Sequence, residues 1–114
     1  MKEPYTFNAS ATEWATTDQF PDIRLTALQT YEDCPTSRIT LVELKVGGEI
    51  DTHRNEGENE SAYILEGRGK LTVGDKDVIL EAGQGITIPG ELPHSMVNVG
   101  DVPIKLIAVH TKKE

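Results

Sequence analysis

The sequence predicts an all-β fold, a barrel closed from two antiparallel sheets. Three observations carry this expectation. Turn signals built on Gly, Pro and Asp recur about every ten residues after Pro21, the spacing of sandwiches and barrels. No segment beyond Pro21 keeps a helical apolar period over three turns. Between Arg38 and Val46 the apolar residues fall on both parities, Ile39 and Leu41 on one, Val42, Leu44 and Val46 on the other. Such a strand is expected to be covered on both faces. Short strands leave edges that invite pairing with other chains, and closure into a barrel removes them.

A chain of 114 residues is expected to hold one domain. Residues 1–22 show no sustained period and carry scattered aromatics, Tyr5, Phe7, Trp14 and Phe20. They are expected to form an N-terminal arm that packs a few rings onto a body spanning residues 23–114. Pro21-Asp22 punctuates the start of that body. Ile23, Leu25 and Ala27 then alternate with Arg24 and Thr26 as a strand. Residues 31–35 turn, 38–46 form the next strand, and Gly47-Gly48 ends it. Strands follow at 62–65, 70–73 and 76–80, the last two joined by a Gly74-Asp75 hairpin signal. Short strands at 85–89 and 94–99 and a final one at 103–111 complete the series. Glycines 47, 67 and 83 are assigned to turn geometry.

The net charge is −8. Phosphate binding needs a positive footprint, so nucleic acid is excluded as a partner, and an anionic membrane surface with it. No apolar run approaches the ~20 residues of a membrane helix. Met1 to Pro4 leads into polar sequence without an apolar signal region, so no signal peptide is expected. The single cysteine, Cys34, makes no internal disulfide, and a cytoplasmic location is expected. Its neighbours Glu32 and Asp33 are expected to raise the thiol pKa and keep it unreactive.

The chemistry concentrates between Gly47 and Gly67, where His53, Asn55, Glu56, Glu58 and Glu60 fall within eight residues. Carboxylates that crowd together repel, and a divalent cation is the usual reason to assemble them with imidazole; the competing reading is a solvated acidic loop. A second stretch, Gly83 to Asn98, places His94 after a Pro-containing bend, with Asn98 on the same strand parity. Inside a barrel, His94 can meet His53 and Glu60. Two imidazoles and one carboxylate are the ligand set of a facial triad, which suits Fe(II), Mn(II), Ni(II) or Zn(II) and leaves positions open.

The two stretches together resemble the cupin family, over roughly residues 37 to 110. Gly47, His53, Glu60 and Gly67 match the spacing of its first motif, with Asn55 where the family has a second histidine. Gly83, Pro89, His94 and Asn98 match the second, with Glu91 where the family has a glycine. The resemblance implies a double-stranded β-helix, or jelly-roll, of two antiparallel sheets. It also implies a divalent metal site at His53, Glu60 and His94. Asn55 is expected beside it, as a weak fourth ligand or as a donor to water, and Glu58 or Glu56 substitutes if the loop bends inward.

Three functions are consistent with this. One is an enzyme on a small molecule, of metal-dependent dioxygenase or isomerase type, with Glu58, Glu56 or Asn55 as acid, base or hydrogen-bond partner. The second is a non-enzymatic binding or sensing module with a degenerate or metal-free site. The third is a structural barrel whose pocket is a relic. No catalytic residue is assigned. Few aromatics are available to line an apolar pocket, and Arg54 and Arg68 are the basic groups near the motif, so a small polar or carboxylated ligand is expected. Glu56 and Glu58 are expected to be solvated, His110 to line the pocket or end a strand, and Asn98 to satisfy backbone groups. Tyr63 and Leu65 fall on the parity opposite to Glu60, pointing outward. An exposed apolar stripe wants cover, from the N-terminal arm or from a second subunit, and a homodimer is expected.

Overall fold

The computed structural model describes residues 1–113. Ten strands account for most of it: β1 (Ala15–Thr16), β2 (Ile23–Gln29), β3 (Ser37–Leu44), β4 (Glu49–His53), β5 (Glu58–Glu66), β6 (Arg68–Val73), β7 (Lys76–Glu81), β8 (Gly85–Ile88), β9 (His94–Asn98) and β10 (Ile104–Lys112). A three-residue 3-10 turn, Ala9–Ala11, is the one helical element among the described residues. All pairings are antiparallel. One sheet runs β1-β2-β3-β10-β5-β8 and the other β4-β9-β6-β7. This is the two-sheet barrel expected from the turn spacing. No helix among the described residues is long and apolar enough to cross a membrane.

The core lies between the sheets. Leu44, Ile64, Ile88 and Ile104 are fully buried there, and Leu71, Leu80 and Met96 close it from the smaller sheet. The arm joins the body through β1, which pairs Ala15 with Leu25 and Thr16 with Arg24. Trp14 stacks on the Arg24 guanidinium at 4.5 Å, and Phe20 packs against the core. Gly47, Gly67 and Gly83 take φ of 72°, 94° and 89°, the left-handed turn geometry assigned to them.

Strand β2 departs from the expected alternation. Ile23 is buried, but Ala27 is exposed and Thr26 and Leu28 are buried. Burial changes parity between Leu25 and Thr26, ahead of the bulge that the register shift between Ala27 and Gln29 places at Leu28. Tyr63 and Leu65 do point outward and are about half exposed. The arm pairs at the opposite edge of that sheet, four strands from β5, and leaves them uncovered.

Candidate metal centre

The two sheets deliver the site from opposite sides. In the smaller sheet His53, at the end of β4, lies opposite His94, at the start of β9. In the larger sheet Glu60 of β5 lies between His110 of β10 and Ile88 of β8. One ligand-capable atom each from His53, Glu60 and His94 falls within 4.8 Å of the others. The spacing of the two motifs anticipated this meeting.

Both imidazoles are oriented in the same way. His53 Nδ1 sits 2.9 Å from the Asp51 carbonyl, and His94 Nδ1 sits 3.1 Å from the Leu92 carbonyl. Each ring therefore donates Nδ1–H to a carbonyl two residues back and keeps Nε2 as the lone pair. Metal-binding histidines are commonly fixed in this tautomer by such a bond. Phe20 of the arm stacks on His53 with ring centroids 4.8 Å apart, and the His53 and His94 rings are 4.3 Å apart. These contacts hold both rings in place.

Glu60 is the most heavily engaged member. His110 Nε2 donates to its Oε1 at 3.0 Å, and Asn55 Nδ2 donates to the same oxygen at 2.8 Å. Burial pushes the carboxyl pKa up, but the His110 hydrogen bond and the neighbouring His94 ring outweigh it and hold the group well below the usual carboxylate range. Burial likewise pulls His94 down. The Glu60 carboxylate and the Leu92 carbonyl outweigh it, and the His94 pKa is raised above 6.5. The site is thus built around an ionised carboxylate that attracts positive charge. Two imidazole nitrogens and one carboxylate fit a divalent transition metal ion.

Asn55 lies beside this cluster. Its amide nitrogen, rather than its oxygen, faces Glu60 and, at 3.3 Å, His94 Nε2. In this arrangement it is a donor to the carboxylate. Glu56 is exposed, as expected. Glu58 is not solvated: Arg38 grips it through Nε at 2.9 Å and Nη2 at 3.2 Å, and the Tyr31 hydroxyl donates to it at 2.5 Å. The Arg38 hydrogen bond, opposed by burial, keeps its carboxyl below the ordinary value. That bidentate partner on β3 removes Glu58 as a substitute ligand or a free acid or base.

His110 lines the cavity, one of the two places expected for it, the other being a strand end; its hydrogen bond to Glu60 was not anticipated. Its parity with Leu106 and Ala108 was the available signal. Its position opposite Glu60 depends on how β5 pairs with β10. Asn98 behaves as expected, with Nδ2 within 3.0–3.2 Å of the carbonyls of Leu44, Lys45 and Val102. Cys34 does not. Its neighbour Asp33 turns away to Thr30, while Ser37 and Thr36 hydroxyls lie 3.5 and 3.7 Å from the sulfur. The Ser37 and Thr36 hydrogen bonds lower its pKa to about 7. The expected raised thiol pKa is therefore corrected.

A cavity of about 310 Å³ opens beside the cluster, lined by His53, Asn55, Glu60, His94 and His110 and by aliphatic side chains of both sheets. Gln19 and Phe20 of the arm form part of its wall.

Residues 40–110 match the family described as the cupin domain. The chain belongs to the cupin family. Among curated relatives, this cupin is 37% identical over 62 residues to an uncharacterized protein of Methanocaldococcus jannaschii, covering 54% of this chain and 50% of that one. It is 34% identical over 68 residues to the oxalate-binding protein of Thermotoga maritima, covering 60% of this chain and 56% of that one. The matches thus span about half the length of these relatives. Among solved structures, the cupin resembles the crystal structure of a predicted oxalate decarboxylase from Thermotoga maritima. The TM-score is 0.87 at 23% identity, covering 96% of this chain and all of that one, a likeness of fold.

Proposed function

We propose that this cupin is a metal-dependent protein for a small molecule, with His53, Glu60 and His94 holding a divalent transition metal ion such as Fe, Mn, Ni or Zn. The observation that carries the reading is the convergence of two tautomer-fixed imidazoles and an ionised carboxylate beside an open cavity. A bound ion would supply Lewis acidity and open positions for oxygen atoms of a ligand. His110 orients Glu60, Phe20 braces His53, and Asn55 donates a hydrogen bond at the cluster. The naming of the Thermotoga relative as oxalate-binding supports a carboxylate as the ligand's polar head. The lone cysteine supports a cytoplasmic setting. The exposed groove on the outer sheet face around Tyr63, Ile107 and Val109 supports a homodimer, which light scattering at micromolar concentration tests.

A second reading, a binding or sensing module without turnover, is favoured by one observation. Neither acidic candidate from the first motif is free to act at the cluster: Glu58 is tied to Arg38 and Glu56 is exposed, and Asn55 does not titrate.

Metal analysis of the untagged protein, followed by calorimetric titration with Mn(II), Ni(II) and Zn(II), tests the metal reading. One equivalent is expected, lost in His94→Ala and in His53→Ala. Asn55→His is expected to tighten binding by adding a third imidazole. Metal content unchanged in both alanine variants would remove the reading.

A further inference from the structure

The chain of short polar groups at the cluster contrasts with what lies beneath it. Interior residues along β10 run His110, Ala108, Leu106, and along β3 they run Arg38, Thr40, Val42; all six line the cavity. Both strands grade from polar to small to aliphatic in the same direction, because the two run antiparallel with His110 opposite Arg38 and Leu106 opposite Val42. Four residues of strand span about 13 Å. The cavity is thus polar at one end and aliphatic at the other, with the small side chains of Ala108 and Thr40 leaving room between.

Its size matters here. At about 30 Å³ per water, 310 Å³ is the room of about ten waters, or on the order of ten ligand atoms. A six-atom dianion such as oxalate would occupy the polar end and leave the rest as water or void against Leu106 and Val42. Aliphatic walls offer water few partners, and filling such a space with apolar atoms is favourable.

We infer that the ligand of this cavity is a carboxylate-headed molecule with an unbranched aliphatic tail, its head at the cluster and its tail between Ala108, Leu106 and Val42. The position of the head rests on the metal reading above; the place of the tail rests on the cavity floor alone. The small polar or carboxylated ligand expected from the scarcity of aromatics becomes, on this inference, an amphiphilic carboxylate, since aliphatic residues supply the lining.

The test is a calorimetric series on the Mn(II)- or Ni(II)-loaded protein, with oxalate and with 2-oxo acids of increasing chain length, from pyruvate to 2-oxooctanoate. Affinity is expected to rise about fourfold per added methylene until the floor is filled, with an increasingly negative heat-capacity change. Ala108→Leu, which fills the middle of the cavity, is expected to abolish the dependence on chain length, with metal uptake measured separately on the same variant. Oxalate binding more tightly than every longer acid, or affinity flat along the series, overturns the inference. If the protein takes up no metal, the metal reading fails by itself. Butanoate, hexanoate and octanoate titrated against the metal-free protein then decide the tail: rising affinity supports it, and a flat series overturns it. Should Ala108→Leu not fold, the wild-type series stands as the deciding measurement.

Discussion

Replacing Gly90 by alanine should damage the site from outside it. Gly90 follows Pro89 in the bend before His94, and its backbone has no positive φ, so conformational freedom is not what it supplies. It supplies space. A Cβ there would lie 2.0 Å from the Glu58 carbonyl oxygen and 2.3 Å from the Asn55 carbonyl oxygen, both rigid backbone atoms. Reaching even a tight 3.0 Å contact requires the bend and the 55–58 loop to separate by about 1 Å. One side of that contact carries Asn55 and leads into Glu60; the other leads into His94. Overpacking of this kind costs about 1–3 kcal/mol. At roughly 4 °C per kcal/mol for a chain of this length, Tm should fall by about 4–12 °C. Metal affinity should fall by about 10–100-fold, the size of effect seen when groups that orient ligands are disturbed. Thermal unfolding of the metal-free protein and calorimetry with Ni(II) measure the two effects. Gly83→Ala is the control: it meets nothing within 4 Å but sits at φ 89°, so it should lower Tm through backbone strain and leave metal affinity alone. Equal metal affinities for Gly90→Ala and the unmodified protein would refute the argument that this close approach sets the site.

Other outcomes follow from single contacts. Asn98→Ala removes two donated bonds, shared among three carbonyls, and one accepted from Gly100 N at 3.0 Å. At about 1 kcal/mol each the loss is about 3 kcal/mol, seen as a lower urea midpoint with an unchanged m-value; a midpoint within error of wild type would contradict it. Metal affinity should decline on acidification, because an ion must displace the proton from His94. With that pKa raised above 6.5 by Glu60, the decline should begin at higher pH than free imidazole would show, and calorimetry between pH 8 and 5 reads it. Alkylation of Cys34 by iodoacetamide should follow a titration curve centred at about 7, and Ser37→Ala should move that centre toward 9.0; a curve indifferent to Ser37 would show that the hydroxyl does not hold the thiolate.

What could be read in advance was local. Turn glycines at 47, 67 and 83 and the alternation around His94 and Asn98 depend on residues close in sequence, and so did the two motifs whose spacing brought His53, Glu60 and His94 together. What escaped was set by pairing between distant strands. His110 meets Glu60 because β10 and β5 align at that register, and a separation of 50 positions along the chain leaves no local trace of it. Arg38 captures Glu58 for the same reason. Cys34 was misjudged because neighbours in sequence were taken as neighbours in space, whereas Asp33 bends back to Thr30. The aliphatic lining of the cavity was hidden because Leu106 and Val42 have the pattern of ordinary core residues, and a pattern does not record whether two facing residues touch.

The division of the cluster between the sheets has a mechanical consequence. His53 and His94 belong to one sheet and Glu60 to the other, and no disulfide links the two. An ion held by all three would act as a clasp between the two sheets. Occupied a hundredfold above its dissociation constant, such a clasp adds about 2.7 kcal/mol to the folded state. The same coupling runs in reverse. Any motion that parts the sheets at the cluster pulls ligands away from one another, so breathing of the barrel and release of the ion become one event.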